Sequence, residues 1–336
     1  MSRSRRAAAT SSLLTAAIAL ALSLTACSGD SDSSSGDGDS SSGGGQSEEN
    51  NQSDESASTS ADGQFPVTIS SDAGEFTLEQ PPERIVSLSP SATEILFAIG
   101  AGDQVAAVDS FSTYPEEAPT TDLSGFDPNV EAVTGYEPDL VVISGDANDL
   151  VASLTELDIP VLINPAPADI EAGYAGMAEL GVATGRVDET ADEVSRIRSE
   201  VEEAMQDGPE EPVRVYHELD NTYFSASSNG FVGSVYAELG ATNIADEADT
   251  DGTGFPQLTE EAVISADPEL IVITDQVDYT AQDVADRPGW DEITAVREDN
   301  IVTVDADIAS RWGPRLPQFV STAAEAMNQA AAVPAG

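Results

Sequence analysis

The sequence predicts an α/β chain built from two related lobes with parallel sheets, held on either side of a helical spine. The first observation behind this is a repeat. Glu131–Ile143 reads EAVTGYEPDLVVI and Glu261–Ile273 reads EAVISADPELIVI, in register 130 residues apart. Solenoid repeats recur every ~20–50 residues, so this long period indicates duplicated lobes. The second is that short apolar runs alternate with helical patterns, as in βαβ units whose strands are buried on both faces. The third is the stretch Asp169 to Asp207, which lacks strand signals and is too long for an ordinary loop. It reads as the spine.

The elements follow in order. Phe65–Ile69 and Glu75–Leu78 alternate around Asp72-Ala73-Gly74 and predict a hairpin. Arg84–Leu88 is a short buried strand. Ser91-Ala92-Thr93-Glu94 has the form of a capping box opening a helix that Gly100 ends. Gln104–Val108 is a strand. Asp127-Pro128-Asn129 starts a helix carrying Glu131, with Pro128 at its first position. Leu140–Ser144 and Val161–Asn164 are strands flanking a helix at Leu150–Leu157. Within the spine, Val187–Met205 is strongly helical, with Val194, Ile197 and Val201 on one stripe. The second half repeats this alternation, with strands at Val213–His217, Leu270–Thr274 and Ile301–Asp305 and helices at Gly233–Leu239, Glu260–Ser265 and Pro314–Ala332.

Composition narrows the possibilities. The formal net charge is −50 and all 12 basic residues are arginine. So acidic a chain repels nucleic acid and anionic membrane surfaces, and no nucleic-acid partner is expected. Arg3, Arg5 and Arg6 precede an apolar run, Leu13 to Leu24, too short for an ordinary membrane span. Leu24-Thr25-Ala26-Cys27 then resembles a bacterial lipoprotein signal, in which cleavage leaves a cysteine whose thiol is lipidated. Cys27 is the sole cysteine, so no intramolecular disulfide can form. A generic secretion signal with a chance cysteine is the alternative. Removing residues 1–26 takes away three arginines and no acid, so −50 becomes −53. Residues 28–64 are almost wholly polar and cannot bury enough surface to fold. They read as a tether with a reach on the order of 35 Å. The expected organisation is a signal peptide (1–26), a disordered acidic Ser/Gly tether (27–64), an N-terminal lobe (65–168), the spine (169–210) and a C-terminal lobe (211–336).

Five pieces in this order resemble the iron-siderophore and vitamin B12 class of ABC-transporter substrate-binding proteins. They are RIVSLSPSATEILFAIG (84–100), VAAVDSFSTYPEEA (105–118), FDPNVEAVTGYEPDLVVIS (126–144), FPQLTEEAVISADPELIVIT (255–274) and RWGPRLPQFV (311–320). The resemblance spans roughly Pro81 to Met327. It implies two Rossmann-like lobes joined by a single long helix, a ligand cleft between the lobes and little domain motion. It also implies that Glu131 and Glu261, one per lobe, dock onto arginine pockets of a dimeric permease working with its ATPase subunits. A helix-dipole role for each glutamate is the alternative.

By motif position the cleft would be lined by Ser89, Pro90, Ser91, Phe111, Phe126, Phe255, Asp307, Arg311 and Trp312; Tyr223 and Phe224, which follow the first strand of the second lobe, are lesser candidates. An aromatic side chain on each lobe would give a flat ligand two faces to lie between. Arg311, with Arg315 near it, is a sparse positive set for a strongly anionic ferric catecholate. A corrinoid is therefore favoured, with a ferric hydroxamate or haem as alternatives. Haem would want an axial Tyr or His, and His217, the only histidine, falls on a strand where a structural role is commoner. Arg311 could itself be structural, pairing Asp305 or Asp307. No resident cofactor or metal ligand set is expected. No GxSxG elbow, P-loop, GxGxxG or metal-spaced His/Cys cluster is present, so neither a catalytic residue nor an enzyme is expected. A chelatase-like enzyme is the remote alternative, and a zinc or manganese receptor would need more histidine. The expected place is the outer face of the cell membrane, held by lipid on Cys27.

Overall fold

The computed structural model describes residues 64–332. The signal segment, Cys27 and nearly all of the tether lie outside the described residues. The first elements are the hairpin β1 (Val67–Ser71) and β2 (Gly74–Leu78). The N-terminal lobe then runs β3 (Ile85–Ser87), α1 (Pro90–Ala98), β4 (Val105–Asp109), β5 (Thr120–Leu123), α2 (Val130–Thr134), β6 (Leu140–Ile143), α3 (Leu150–Thr155) and β7 (Val161–Ile163). The spine is α4 (Ile170–Thr184) and α5 (Val187–Gln206). The C-terminal lobe runs β8 (Arg214–His217), α6 (Phe231–Glu238), β9 (Thr242–Asn243), α7 (Glu260–Ala266), β10 (Leu270–Thr274), α8 (Ala281–Ala285), α9 (Thr294–Arg297), β11 (Ile301–Val304), α10 (Ala306–Ala309) and α11 (Leu316–Ala331).

Both sheets are parallel throughout, in the orders β5-β4-β3-β6-β7 and β11-β10-β8-β9. Their central strands are short and buried on both faces, which is why they read as continuous apolar runs. Each order reverses once, between β3 and β6 and between β8 and β10. In open α/β sheets that reversal leaves a crevice at the carboxyl ends of the strands.

The first strands of the two lobes make matching contacts. Ile85 pairs with Leu140, and Val215 with Leu270. The Asp139 N–H donates to the Arg84 carbonyl (3.1 Å), and the Glu269 N–H to the Arg214 carbonyl (2.9 Å). In return the Asp139 and Glu269 carboxylates accept the N–H groups of Arg84 and Arg214, each at 2.9 Å. The two guanidinium groups reach back to the carbonyls of Glu137 and Asp267, both in the left-handed region (φ 51° and 48°). Every one of these pairs is offset by 130 residues, so the duplication extends upstream to Arg84 and Arg214.

Two local expectations are corrected. Ser89 caps α1, its hydroxyl accepting the Ala92 N–H, with Pro90 in the first turn. Ser91 and Glu94 therefore make no capping box, because the Ser89-Pro90 pair already sets the helix start two residues earlier. Likewise Asn129 caps α2, accepting the Ala132 N–H at 2.9 Å, and Pro128 stands outside the helix. The connection between lobes comprises the 20-residue α5 and, before it, the 15-residue α4. Gly185 (φ +73°) turns the chain between them. The helices pack antiparallel, with Arg198 of α5 on Glu171 and over the Tyr174 ring of α4 (4.4 Å). A side chain at Gly181 would collide with Thr190, its Cβ lying 2.3 Å from Oγ1.

One apolar core crosses the spine. It runs from Ile85, Ile95 and Leu140 through Tyr174, Met177 and Ile197 to Phe319, Val215 and Leu270. Burying one large apolar side chain stabilises by about 1.5–3 kcal/mol, so a core shared across the spine resists separation of the lobes. No helix among the described residues is long and apolar enough to cross a membrane.

Candidate functional site

The carboxyl ends of both sheets meet at a buried ion cluster. Glu94 of α1 is 2% exposed. Its carboxylate accepts Arg311 Nη1 at 3.0 Å and two nitrogens of Arg315, at 2.8 and 2.5 Å. Arg311 also pairs with Asp307 at 2.7 Å and donates to the Phe111 carbonyl at 3.0 Å. Glu94 and Phe111 belong to the N-terminal lobe, and the arginines follow β11. The cluster thus ties the lobes together at the base of the crevice. Among the described residues Asp305 makes no salt bridge to either arginine, and it caps α10 by accepting the Ile308 N–H. Two guanidinium groups face two carboxylates, so the cluster presents no excess positive charge. The Arg315 guanidinium also lies 4.5 Å from the centroid of the Tyr114 ring.

Around this base stand exposed aromatic side chains. Phe111 follows β4 and Phe126 follows β5; their rings meet edge to face, centroids 5.6 Å apart. Phe126 is 80% exposed, and Phe111 and Phe255 are each 53% exposed. Large apolar side chains so far out of the core are where a ligand surface is sought. Phe255 stands on the loop after β9. The structure therefore brings Phe111, Phe126, Asp307 and Arg311 to the carboxyl end of the N-terminal sheet, and Phe255 to that of the other.

The remaining residues of the expected lining are placed differently. Ser89 and Ser91 are buried, leaving Pro90 as the partly exposed member of that turn. Trp312 is buried against Phe231, centroids 6.4 Å apart. Tyr223 stacks on the buried Trp290 at 6.3 Å. It lies beside the Arg287–Glu218 ion pair, whose two hydrogen bonds are both 2.7 Å. Its neighbour Phe224 is the exposed one, on a loop that the first lobe lacks: α1 begins three residues after β3, α6 fourteen after β8. His217 is buried and its Nδ1 lies 3.0 Å from the Tyr236 hydroxyl. Burial pushes the imidazole down to about 4.

Glu131 and Glu261 occupy equivalent places. Each is exposed, at the second position of a short helix. Each helix is capped by the side chain two residues earlier, Asn129 or Thr259, which accepts the N–H of Ala132 or Ala262. Among the described residues neither glutamate has an ion-pair partner.

Sequence reasoning missed Glu94 as the anchor of the arginines. The signal was its place, early in a helix whose Ser-Pro start already satisfied the cap. A cavity of about 620 Å³ between β1 and α4, beside Asn164 and Glu179, touches none of the expected residues.

The periplasmic binding protein family model matches residues 85–308. An ABC transporter substrate-binding lipoprotein of Bacillus subtilis is 32% identical, over 78% of this chain and 86% of its own. A cobalamin-binding protein of Halobacterium salinarum is 33% identical, over 79% of this chain and 74% of its own. The solved structure of a periplasmic heme-binding protein of Roseiflexus is 26% identical with a TM-score of 0.67, covering 74% of this chain and 99% of that one. By the length of the match and by these relatives, the chain belongs to the periplasmic binding protein family, whose members are substrate-binding transport proteins.

Proposed function

We propose that this protein is the extracytoplasmic receptor of an ABC importer and carries a corrinoid to a membrane permease. The observation that carries the choice of ligand is the charge balance of the crevice. Arg311 and Arg315 are neutralised by Glu94 and Asp307 at 2.5–3.0 Å, while Phe111, Phe126 and Phe255 remain exposed. A site with aromatic walls and no net cationic charge suits a broad, nearly neutral chelate. A strongly anionic ferric catecholate would have to be desolvated without compensation. The cobalamin-binding relative at 33% identity supports the same choice.

In this reading Phe111, Phe126 and Phe255 form the walls, with Pro90 and Asp307 reaching the ligand edge. Arg311 holds the Phe111 backbone in place. Glu131 and Glu261 are the permease contacts: two exposed carboxylates in matching helix positions suit bidentate arginine pockets on a two-fold partner. The lipid on Cys27 keeps the receptor at the outer face of the membrane. The protein performs no chemistry on its ligand.

A second reading, a haem receptor, has one observation in its favour. Tyr114 is 45% exposed on the Phe111 loop, with the Arg315 guanidinium against its ring, and could supply an axial phenolate. Titration of the soluble body with cyanocobalamin, ferrioxamine and haem, read by absorbance and tryptophan fluorescence, separates these. Saturable 1:1 binding of cyanocobalamin is expected. Tight ferrioxamine or haem binding without cyanocobalamin binding overturns the corrinoid choice, and binding of none of the three overturns the receptor reading.

A further inference from the structure

Two buried aspartates, one in each lobe, lie against the glycine of a Gly-Phe dipeptide. Asp249 follows β9 and is 8% exposed. It accepts Ser227 Oγ at 2.5 Å, Asn229 Nδ2 at 2.9 Å and the Gly254 N–H at 3.0 Å on one oxygen. The other oxygen accepts the Thr253 N–H at 2.9 Å. Among the described residues no cation shares this carboxylate, which is unusual for so buried an acid. Its donors belong to two loops, and the residue after Gly254 is Phe255.

The same loops are bound to each other on both sides of Phe255. The Ser227 N–H donates to the Gly254 carbonyl at 3.0 Å and the Ser225 N–H to the Pro256 carbonyl at 2.9 Å. The backbones are so close that a Cβ on Gly254 would lie 2.9 Å from the Gly230 Cα. Gly254 also has φ +81°, which only glycine adopts without strain. The Phe255 backbone therefore has very little freedom, and the Asp249 side chain holds both loops.

In the other lobe Asp109 ends β4 and is 1% exposed. It accepts Ser112 Oγ at 2.6 Å. Its second oxygen lies against Gly125, where an added Cβ would be 3.5 Å from it and 2.3 Å from the Leu88 carbonyl. The residue after Gly125 is Phe126. Each lobe thus has a buried aspartate, at or after the strand beside its first strand, that lies against the glycine of a Gly-Phe dipeptide, through a hydrogen bond at Gly254 and through close approach at Gly125. The dipeptide's phenylalanine is exposed.

We infer that Asp109 and Asp249 are positioning residues that aim Phe126 and Phe255, the aromatic walls of the two lobes. The inference rests on the receptor reading for the role of the walls. The grip itself does not. A phenylalanine 80% or 53% exposed has little packing to hold it, the Phe111 ring against Phe126 aside, so the course of its backbone sets much of its direction. A ligand meeting walls already fixed loses less ordering entropy on binding. The two carboxyl groups are shifted in opposite directions. The hydrogen bonds from Ser227 and Asn229 hold the Asp249 carboxyl well below the usual range, while burial raises that of Asp109.

The test needs no ligand in its first arm. The full chain is produced with 4-fluorophenylalanine, and the Phe126 and Phe255 signals are assigned with Phe126→Leu and Phe255→Leu. Asp249→Asn should shift or split only the Phe255 fluorine signal, and Asp109→Asn only that of Phe126. Ser227→Ala, which removes one donor and keeps the carboxylate, should move the Phe255 signal in the same direction. If all three variants lower Tm but leave the fluorine signals in place, the aspartates are merely structural and the inference is overturned. The second arm titrates cyanocobalamin, and Asp249→Asn is expected to bind at least about tenfold more weakly than the native chain. Unchanged binding by Phe255→Ala sinks the wall role and the receptor reading of Phe255, while the fluorine signals still decide whether Asp249 grips that residue.

Discussion

Replacing Glu94 with glutamine should cost about 3–5 kcal/mol of stability. Glu94 is buried and shared by Arg311 and Arg315, whose side chains are only 10% and 12% exposed. Glutamine keeps the shape and one acceptor oxygen but removes the charge that neutralises the pair. The two guanidinium groups would then stay buried facing only Asp307, which is itself 31% exposed. Breaking a buried ion pair by removing one partner typically costs about 3–5 kcal/mol, against a total stability of about 5–15 kcal/mol. For a body of this size each kcal/mol lowers Tm by about 2–4 °C, so a drop of about 10 °C is expected. Thermal unfolding followed by circular dichroism measures it. Because the cluster is buried, the drop should change little between low and moderate salt. The double variant Glu94→Gln with Arg311→Met should recover part of the loss by removing one stranded charge. A Tm within about 2 °C of the native value, or a loss that vanishes in salt, would refute the reading of Glu94 as the buried anchor of both lobes.

Charge reversal at both Glu131 and Glu261 should abolish ligand uptake by cells while leaving ligand affinity and Tm unchanged; uptake at the native rate would end the docking role. The buried His217 is held down to about 4, against about 6.5 in the unfolded chain, so the unfolded state binds the extra proton between those values. Stability from this group is complete above about pH 6.5 and is lost as pH falls toward about 4, by about 3 kcal/mol in all. Asp109, raised by burial, works in the opposite direction, so the comparison to make is native against His217→Gln. The variant should show a flatter stability profile over that range, and parallel profiles would mean that folding leaves the imidazole unshifted.

Much of the fold could be read from the sequence because parallel strands buried on both faces leave unbroken apolar runs. Leu140–Ile143 and Leu270–Thr274 are such runs, and both strands fall where the runs place them. β5 and β9 were missed because each is a partly exposed edge strand, TTDL and TN, with no apolar run to signal it. The site was legible as a set of aromatics but not as a mechanism of support. Glu94 imitates a capping-box residue in sequence, and only the fold brings it to arginines more than 200 positions away. Tyr223 follows a strand end, as a site residue would. It turns inward because Trp290, distant in sequence, offers it a ring to stack on.

The duplication separates two requirements. From Arg84 to Ile143 and from Arg214 to Ile273 the first strands and the glutamate helices keep a constant offset of 130 residues, down to the carboxylates that bind the Arg84 and Arg214 N–H groups. Glu131 and Glu261 lie in these regular segments. The offset breaks in the loops at the carboxyl ends: the second lobe gains the Tyr223-Phe224 insertion, and Phe126 lies five residues before its glutamate while Phe255 lies six before. A two-fold permease requires equal geometry at its two contacts, whereas an asymmetric chelate requires unequal walls. The segments that could serve the partner have kept their register, and those that could serve the ligand have lost it. Asp109 and Asp249 lie against the loops that carry Phe126 and Phe255, outside the strands and helices that keep the offset.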